Sequence, residues 1–368
     1  MTDGFVPAPL LRLPWRLLFL LIGLGGFGAV ILYSAAGGSL SPWASSHAIR
    51  FAVFLTMAIL MSRIPEGVYA RFALPGYIGI LILLIGVELI GAIGGGSQRW
   101  LDLGFIRLQP SELMKLAIIL ATARFYAMLP AGEIRKWTAI WPPLVLLGLP
   151  FLLVLVQPDL GTATMIATGG LTVMFLAGIP LRLFVVSGVA GAAALPVIYS
   201  LLHEYQKKRV LIFLNPEEDA LGAGYHITQS KIAIGSGGIF GKGFLNGTQS
   251  HLDYLPEGHT DFVFATMAEE WGLIGGLAII IAFVLVGRWG LNVAQRANSR
   301  FGRLTAAGLS MTIFYYVTIN LLMVMGLAPV VGIPLPMVSH GGTAMLTVML
   351  CLGILMSIER HNRVRTGL

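Results

Sequence analysis

The chain has 368 residues, of which 56% are hydrophobic and only 11% charged, with a mean hydropathy of +0.83. That balance excludes a water-soluble globular protein, and it makes the net charge of +7 a matter of membrane orientation and anionic lipid rather than nucleic acid. The single cysteine, Cys351, excludes an intrachain disulfide.

A bilayer core needs roughly 20 apolar residues per helix. Taken in chain order, the apolar runs predict spans over Leu17–Tyr33, Arg50–Met61, Phe72–Ile93, Ser111–Met128, Trp141–Val156, Thr162–Ile179, Leu183–Leu202, Asp261–Val286, Leu304–Val330 and His340–Ile358. The second is the shortest. The runs are continuous rather than alternating, which excludes a closed β-barrel. The expected fold is an all-α integral membrane protein, one polytopic domain over residues 1–368 with about ten transmembrane helices. The first run follows Arg12 and Arg16 and is longer than the roughly 7–15 residues of a signal-peptide core, so it reads as an uncleaved anchor. Ser34-Ala35-Ala36 is a weak competing cleavage signal.

Charge sets the expected topology. Arg63, Arg71, Arg135, Lys136, Arg182, Arg288, Arg296, Arg300, Arg303, Arg360, Arg363 and Arg365 all fall on the side that holds the N-terminus. The opposite short loops carry little beyond Arg50, Arg99 and Arg107, so both termini are expected in the cytoplasm. Most connections are short. The exception, residues 203–260 between the seventh and eighth spans, becomes a long extracytoplasmic loop, and loops of that length are usually functional or disordered. Within it Tyr225–Ile234 has amphipathic helical spacing, and Leu252, Tyr254 and Leu255 can rest on the membrane surface.

Four places concentrate chemistry. In Gln109-Pro110-Ser111-Glu112-Leu113-Met114-Lys115, proline and glutamate are ordinary helix-start residues, but Lys115 lies a turn further in. Glu112 and Lys115, three apart, share a helix face; the lysine either neutralises the glutamate or faces an anionic substrate group. Gln157-Pro158-Asp159-Leu160-Gly161-Thr162 is a tight turn whose Asp159 either caps the sixth span or serves a metal or sugar. The glycine-rich stretch Gly235–Gly243 resembles a phosphate loop but fails its spacing; with Lys231 and Lys242 it could cradle a lipid diphosphate, and otherwise it is a mobile surface loop.

The fourth place is Leu255-Pro256-Glu257-Gly258-His259-Thr260-Asp261, where the polar loop ends and the eighth span begins. A carboxylate there stands at the positive end of a helix dipole, which is expected to favour the ionised form a proton acceptor needs; a plain helix cap is the alternative. Glu269 and Glu270, deeper in that span, read as a buried structural network, and Glu88 of the third span is expected to face the bundle interior. No His/Cys/Asp cluster has zinc spacing, and no hydrolase elbow or His-Glu-x-x-His motif is present.

Together Gln109–Glu112 with Lys115, the turn 157–162, Ile234–Gly238, Leu255–Glu257 leading to Asp261, Asn320 and the run Gly332–Gly342 resemble the SEDS family of bacterial cell-wall polymerases, over essentially the whole chain. Thr248–Glu257 and Gly332–Pro336 resemble its elongation branch rather than its division branch. His340 departs from the family, whose members mostly carry tyrosine there. The resemblance implies a glycosyltransferase of the bacterial plasma membrane that polymerises lipid II into glycan strands outside the cell. A class B penicillin-binding protein and the elongation machinery would be its partners. An α-linked diphosphate donor giving a β-linked glycan requires inversion, hence one general base and positive charge for the leaving diphosphate. The implied catalytic set is Asp261, Lys115 and Glu112, with Asp159, Lys231, Lys242 and Ser339 binding substrate. Asp159 and Asp261 are the candidates for a divalent ion, magnesium or manganese, and no nucleotide is implied. Two other function classes fit the bundle: a lipid II flippase, which would place charges near mid-membrane, and a non-enzymatic scaffold, which leaves Asp261 and Lys115 without a role.

Overall fold

The computed structural model describes residues 13–94, 97–102, 107–130, 132–201, 207, 211–212, 215, 223–252, 254–255 and 257–366. Its long helices are α1 (Trp15–Ala35), α2 (Trp43–Met61), α3 (Glu66–Ile90), α4 (Pro110–Met128), α5 (Trp141–Val156), α6 (Leu160–Ala177) and α7 (Leu181–Leu201). After these come α8 (Ala223–Gly237), the single turn α9 (Thr248–His251), and the long helices α10 (Val263–Arg296), α11 (Arg300–Val324) and α12 (Gly342–Thr366). The predicted spans coincide with α1–α7 and α10–α12, and the amphipathic stretch at Tyr225–Ile234 lies inside α8. The residues quoted for the elongation branch include Asp253 and Pro256, which lie outside the described residues, as does Arg12.

Eight of the described helices are long and apolar enough to cross a membrane, and α7 adds a shorter apolar stretch at Leu181–Ala194. Helix α4 carries Glu112, Lys115 and Arg124, yet it packs against α3, α5, α6, α11 and α12 at the centre of the bundle. Its charges are tolerated because the lipid does not see them. The core around it is aliphatic, with Leu84, Ile118, Ile119, Ile166 and Leu309 fully buried.

Three features differ from the sequence reading. Helix α2 begins at Trp43, about two turns before the predicted Arg50, because Ser45, Ser46 and His47 hide its first turns from a hydropathy count. Between α3 and α4 the chain forms a small antiparallel sheet, β1 (Ala92–Gly94), β2 (Ser97–Asp102) and β3 (Arg107–Leu108), paired in that order. Finally, Glu88 is exposed, two residues before the end of α3, where an interfacial carboxylate can reach water.

The glycine-rich stretch has a packing explanation. Helix α10 is broken at Gly272, whose φ is 62° and ψ −159°. The break frees the carbonyls of Glu269 and Glu270, which accept from the backbone N–H of Lys242 (2.9 Å) and Gly243 (3.0 Å). In return Leu273 N–H donates to the Gly238 carbonyl at 2.9 Å and Ile274 N–H to that of Ile239 at 3.3 Å. An apolar setting demands such replacement partners for a broken helix. Backbones this close leave no room for side chains: a Cβ at Gly237 would lie 2.0 Å from the Ala268 carbonyl oxygen, and one at Gly241 2.0 Å from that of Glu270.

The first turns of α4, α6 and α12 and the turn that precedes α10 converge with α2 and β2 on one cavity.

Candidate active site

The cavity measures about 1020 Å³. Its polar wall holds Arg50, Arg99, Gln109, Glu112, Asp159, Glu257, Thr260, Asp261 and His340, and its apolar wall includes Ile49, Val53, Phe54, Trp100, Leu108 and Leu346. Helix N-termini carry partial positive charge, so the starts of α4, α6 and α12, together with two arginines, set anion-attracting groups beside the four carboxylates of this wall.

Asp159 takes the capping role and also borders the cavity. Its Oδ1 accepts from Thr162 N–H at 3.0 Å, capping α6, and its side chain lines the cavity. Gln109 Nε2 donates to its Oδ2 at 3.4 Å, and Arg99 Nη1 lies 3.6 Å from the same oxygen. Arg99 also donates to the carbonyls of Gln157 (3.0 Å) and Pro158 (2.6 Å), so one side chain clamps the turn to β2.

Asp261 lies in the turn ahead of α10, outside the spanning segment. Asn320 Nδ2 donates to its backbone carbonyl at 2.8 Å and to that of Ile333 at 2.7 Å, tying the turn to the loop after α11. The side chain lines the cavity, where a Cβ at Gly332 would be 3.5 Å from Oδ2. Two expectations are corrected here. The N-cap position of α10 belongs to Phe262, and no side chain caps it, so Asp261 is not a helix cap. Nor does its position favour the ionised form: burial, reinforced by the neighbouring Glu257, raises its pKa from 3.8 to about 6. Desolvation outweighs the dipole, and Asp261 precedes the first turn of α10, where the dipole acts most strongly.

Glu112 lines the cavity floor, whereas Lys115 is buried behind it with 1% exposure and does not reach the wall. Lys115 Nζ donates to Glu112 Oε1 at 2.6 Å and to the Tyr316 hydroxyl at 2.9 Å. Tyr316 in turn donates to Glu112 Oε2, which also accepts from Thr347 at 3.2 Å. The lysine therefore neutralises and orients the glutamate, and any action on a ligand passes through that carboxylate.

The other sequence candidates lie elsewhere. Lys242 Nζ donates to Glu269 Oε1 at 2.6 Å and to Thr248 Oγ1 at 2.8 Å, while the equally buried Glu270 accepts separately from Ser34 Oγ. The Lys231 side chain lies against Gly326, after α11. Ser339 is buried and accepts from Leu335 N–H at 2.8 Å, closing its own turn. None of the three lines the cavity. Conversely Arg50 and Arg99 escaped notice as site residues, although the rarity of such charges in the short loops opposite the N-terminus was the available signal.

A divalent ion does not fit these donors. Among the described residues no group of three or more His, Cys, Asp or Glu side chains is placed to hold one. The Asp159 carboxylate is already engaged by Thr162, Gln109 and Arg99.

Residues 14–364 match the family model FTSW_RODA_SPOVE, described as cell cycle protein. The chain belongs to that family. Among FtsW/RodA/SpoVE relatives, it is 47% identical to the peptidoglycan glycosyltransferase MrdB of Escherichia coli K12, covering 95% of this chain and 94% of that one. It is 32% identical to the peptidoglycan glycosyltransferase RodA of Treponema pallidum, covering 94% and 97%. A solved structure titled for the coordination of polymerization and crosslinking by a peptidoglycan synthase complex superposes with a TM-score of 0.83 at 30% identity, over 95% of this chain and 98% of that one. The crystal structure of Thermus thermophilus RodA gives 0.70 at 26% identity, over 95% and 97%. FtsW/RodA/SpoVE membership agrees with the resemblance read from the motifs, and so does its elongation branch.

Proposed function

We propose that the cavity is where this membrane-embedded peptidoglycan glycosyltransferase joins lipid II units into glycan strands for cell elongation. The observation that carries the reading is a carboxylate of raised pKa, Asp261, in a cavity faced by Arg50 and the starts of α4, α6 and α12. A general base works best with a pKa near the operating pH, and about 6 suits that better than 3.8.

In the reaction Asp261 accepts the proton of the incoming sugar hydroxyl. The freed oxygen pair forms the new bond to the donor's anomeric carbon from the face opposite the diphosphate. The carbon–oxygen bond to the diphosphate breaks as the glycosidic bond forms, giving inversion, and its electron pair leaves with the diphosphate. Charge growing on that group faces Arg50 and the amides of Gly341, Gly342 and Thr343 at the start of α12, an arrangement stronger in the transition state than in the ground state. Glu112, held by Lys115 and Tyr316, provides a fixed acceptor for substrate hydroxyl or amide groups. With no fitting donor set, no step runs through a metal. Carboxylates at the starts of helices rather than at mid-span favour this reading over a transporter.

The chain is further proposed to lie in the bacterial plasma membrane with both termini cytoplasmic, beside a class B penicillin-binding protein that crosslinks its product. The superposition on a peptidoglycan synthase complex that coordinates polymerization and crosslinking supports that partner class. The deciding experiment supplies purified lipid II to the purified protein, alone and with its partner. Polymeric glycan supports the proposal, and lipid II left intact in both cases rejects it.

A further inference from the structure

The position of Arg50 poses an electrostatic problem. Its guanidinium lies against the first turn of α12, where a Cβ on Gly342 would be 3.3 Å from Nη1. A cation at the positive end of a helix is disfavoured, and no carboxylate among the described residues forms an ion pair with it. Something neutral must hold it there until an anion arrives.

We propose that His340 is a positioning residue for this reaction: its Nε2 accepts from Arg50 and fixes the guanidinium over the start of α12, where the substrate diphosphate binds. Arg50 Nη1 stands 3.4 Å from His340 Nε2, and Ser46 Oγ, one turn before Arg50 on α2, stands 2.8 Å from the same nitrogen. A guanidinium has only protons to give and the Ser46 hydroxyl has one, so the proposed bond requires the neutral tautomer with its proton on Nδ1, whose single Nε2 lone pair the two donors share. The surroundings hold it neutral. Burial, followed by the positive charge of Arg50, lowers the His340 pKa to about 4, and the nearby His259 and His47 act in the same direction. The backbone is pinned too, since His340 N–H donates to the His259 carbonyl at 2.9 Å and the His259 ring stacks on Trp43 at 4.0 Å. Helix α2, the turn before α10 and the turn before α12 thus meet at one imidazole.

The inference rests on the diphosphate reading of the cavity, and the test separates the two. The full-length protein is purified with Arg50→Gln, His340→Phe, His340→Gln and the double change Arg50→Gln with His340→Phe. Binding of a polyprenyl diphosphate in detergent micelles is measured for each, so the readout does not depend on turnover. Removing a hydrogen bond to a charged group predicts that His340→Phe weakens binding about tenfold in the parent. It should add nothing in the Arg50→Gln background, and His340→Gln, whose amide oxygen can accept, should retain most of the affinity. Equal loss in both backgrounds, or no loss in the parent, overturns the positioning role while leaving the diphosphate reading intact. Unchanged binding in Arg50→Gln overturns both.

Discussion

Asp261→Asn isolates the proposed base. The amide keeps the size of the side chain, leaves the backbone carbonyl that Asn320 holds, and removes no helix cap, because Asp261 forms none. With a pKa of about 6 the native carboxylate is about nine-tenths ionised at pH 7, so nearly all of the enzyme begins in the competent form. The substitution therefore removes almost the whole contribution of the base, about 10²–10⁴-fold in rate, which corresponds to roughly 3–5 kcal/mol of transition-state stabilisation. Neutralising a carboxylate that burial disfavours should leave the melting temperature unchanged or slightly higher. The assay is glycan polymerisation from purified lipid II, paired with thermal melting in the same detergent. A variant retaining a third of parental activity would refute the role. One that melts well below the parent would show that Asp261 mainly holds the fold. In the parent, activity should fall as pH drops through about 6, because the protonated carboxyl cannot accept.

Other outcomes follow from neighbouring contacts. Glu257→Gln removes a negative charge that helps raise the Asp261 pKa, so the acid limb of the pH–rate profile should move to lower pH. Lys115→Met leaves Glu112 in the core without its cation and should cost about 3–5 kcal/mol of stability; adding Glu112→Gln should restore the melting temperature, and failure to do so would mean the lysine holds more than that pair. Gly241→Ala combines a φ of +80° with a 2.0 Å clash against the Glu270 carbonyl, so size-exclusion chromatography should show little monodisperse protein. A cysteine at Asn246, in a chain with Cys351 replaced, should react with a membrane-impermeant thiol reagent on intact spheroplasts; reaction only after lysis would invert the orientation.

What the sequence made legible was what short spacing encodes. Asp159 and Thr162 announce a cap because the bond spans three residues, and Glu112 with Lys115 announces a pair for the same reason. The spans were readable from apolar length alone, apart from the polar first turns of α2. Contacts across the fold were not. Lys242 and Glu269 are separated by 27 positions and meet where the 238–243 turn packs on α10, so the lysine looked free for a diphosphate. Tyr316 and Thr347 close on Glu112 from two other helices, and no local pattern marks either. Arg50 and Arg99 were visible but counted as topology. The pKa of Asp261 depends on how tightly protein surrounds it, which a dipole argument made from position does not capture.

The exchange of backbone bonds between the 238–243 turn and the interrupted stretch of α10 has a consequence for how the chain matures. Neither partner is satisfied without the other: alone, the helix would present the Glu269 and Glu270 carbonyls to an apolar surrounding, and the turn would present its own N–H groups. The turn leaves the ribosome first and must wait in water until α10 enters the bilayer, so the two lock together only after the eighth span is in place. Evolution meets the same constraint. A side chain added at Gly237 or Gly241 has to be answered by a shift in the facing helix, so the two segments can diverge only in step.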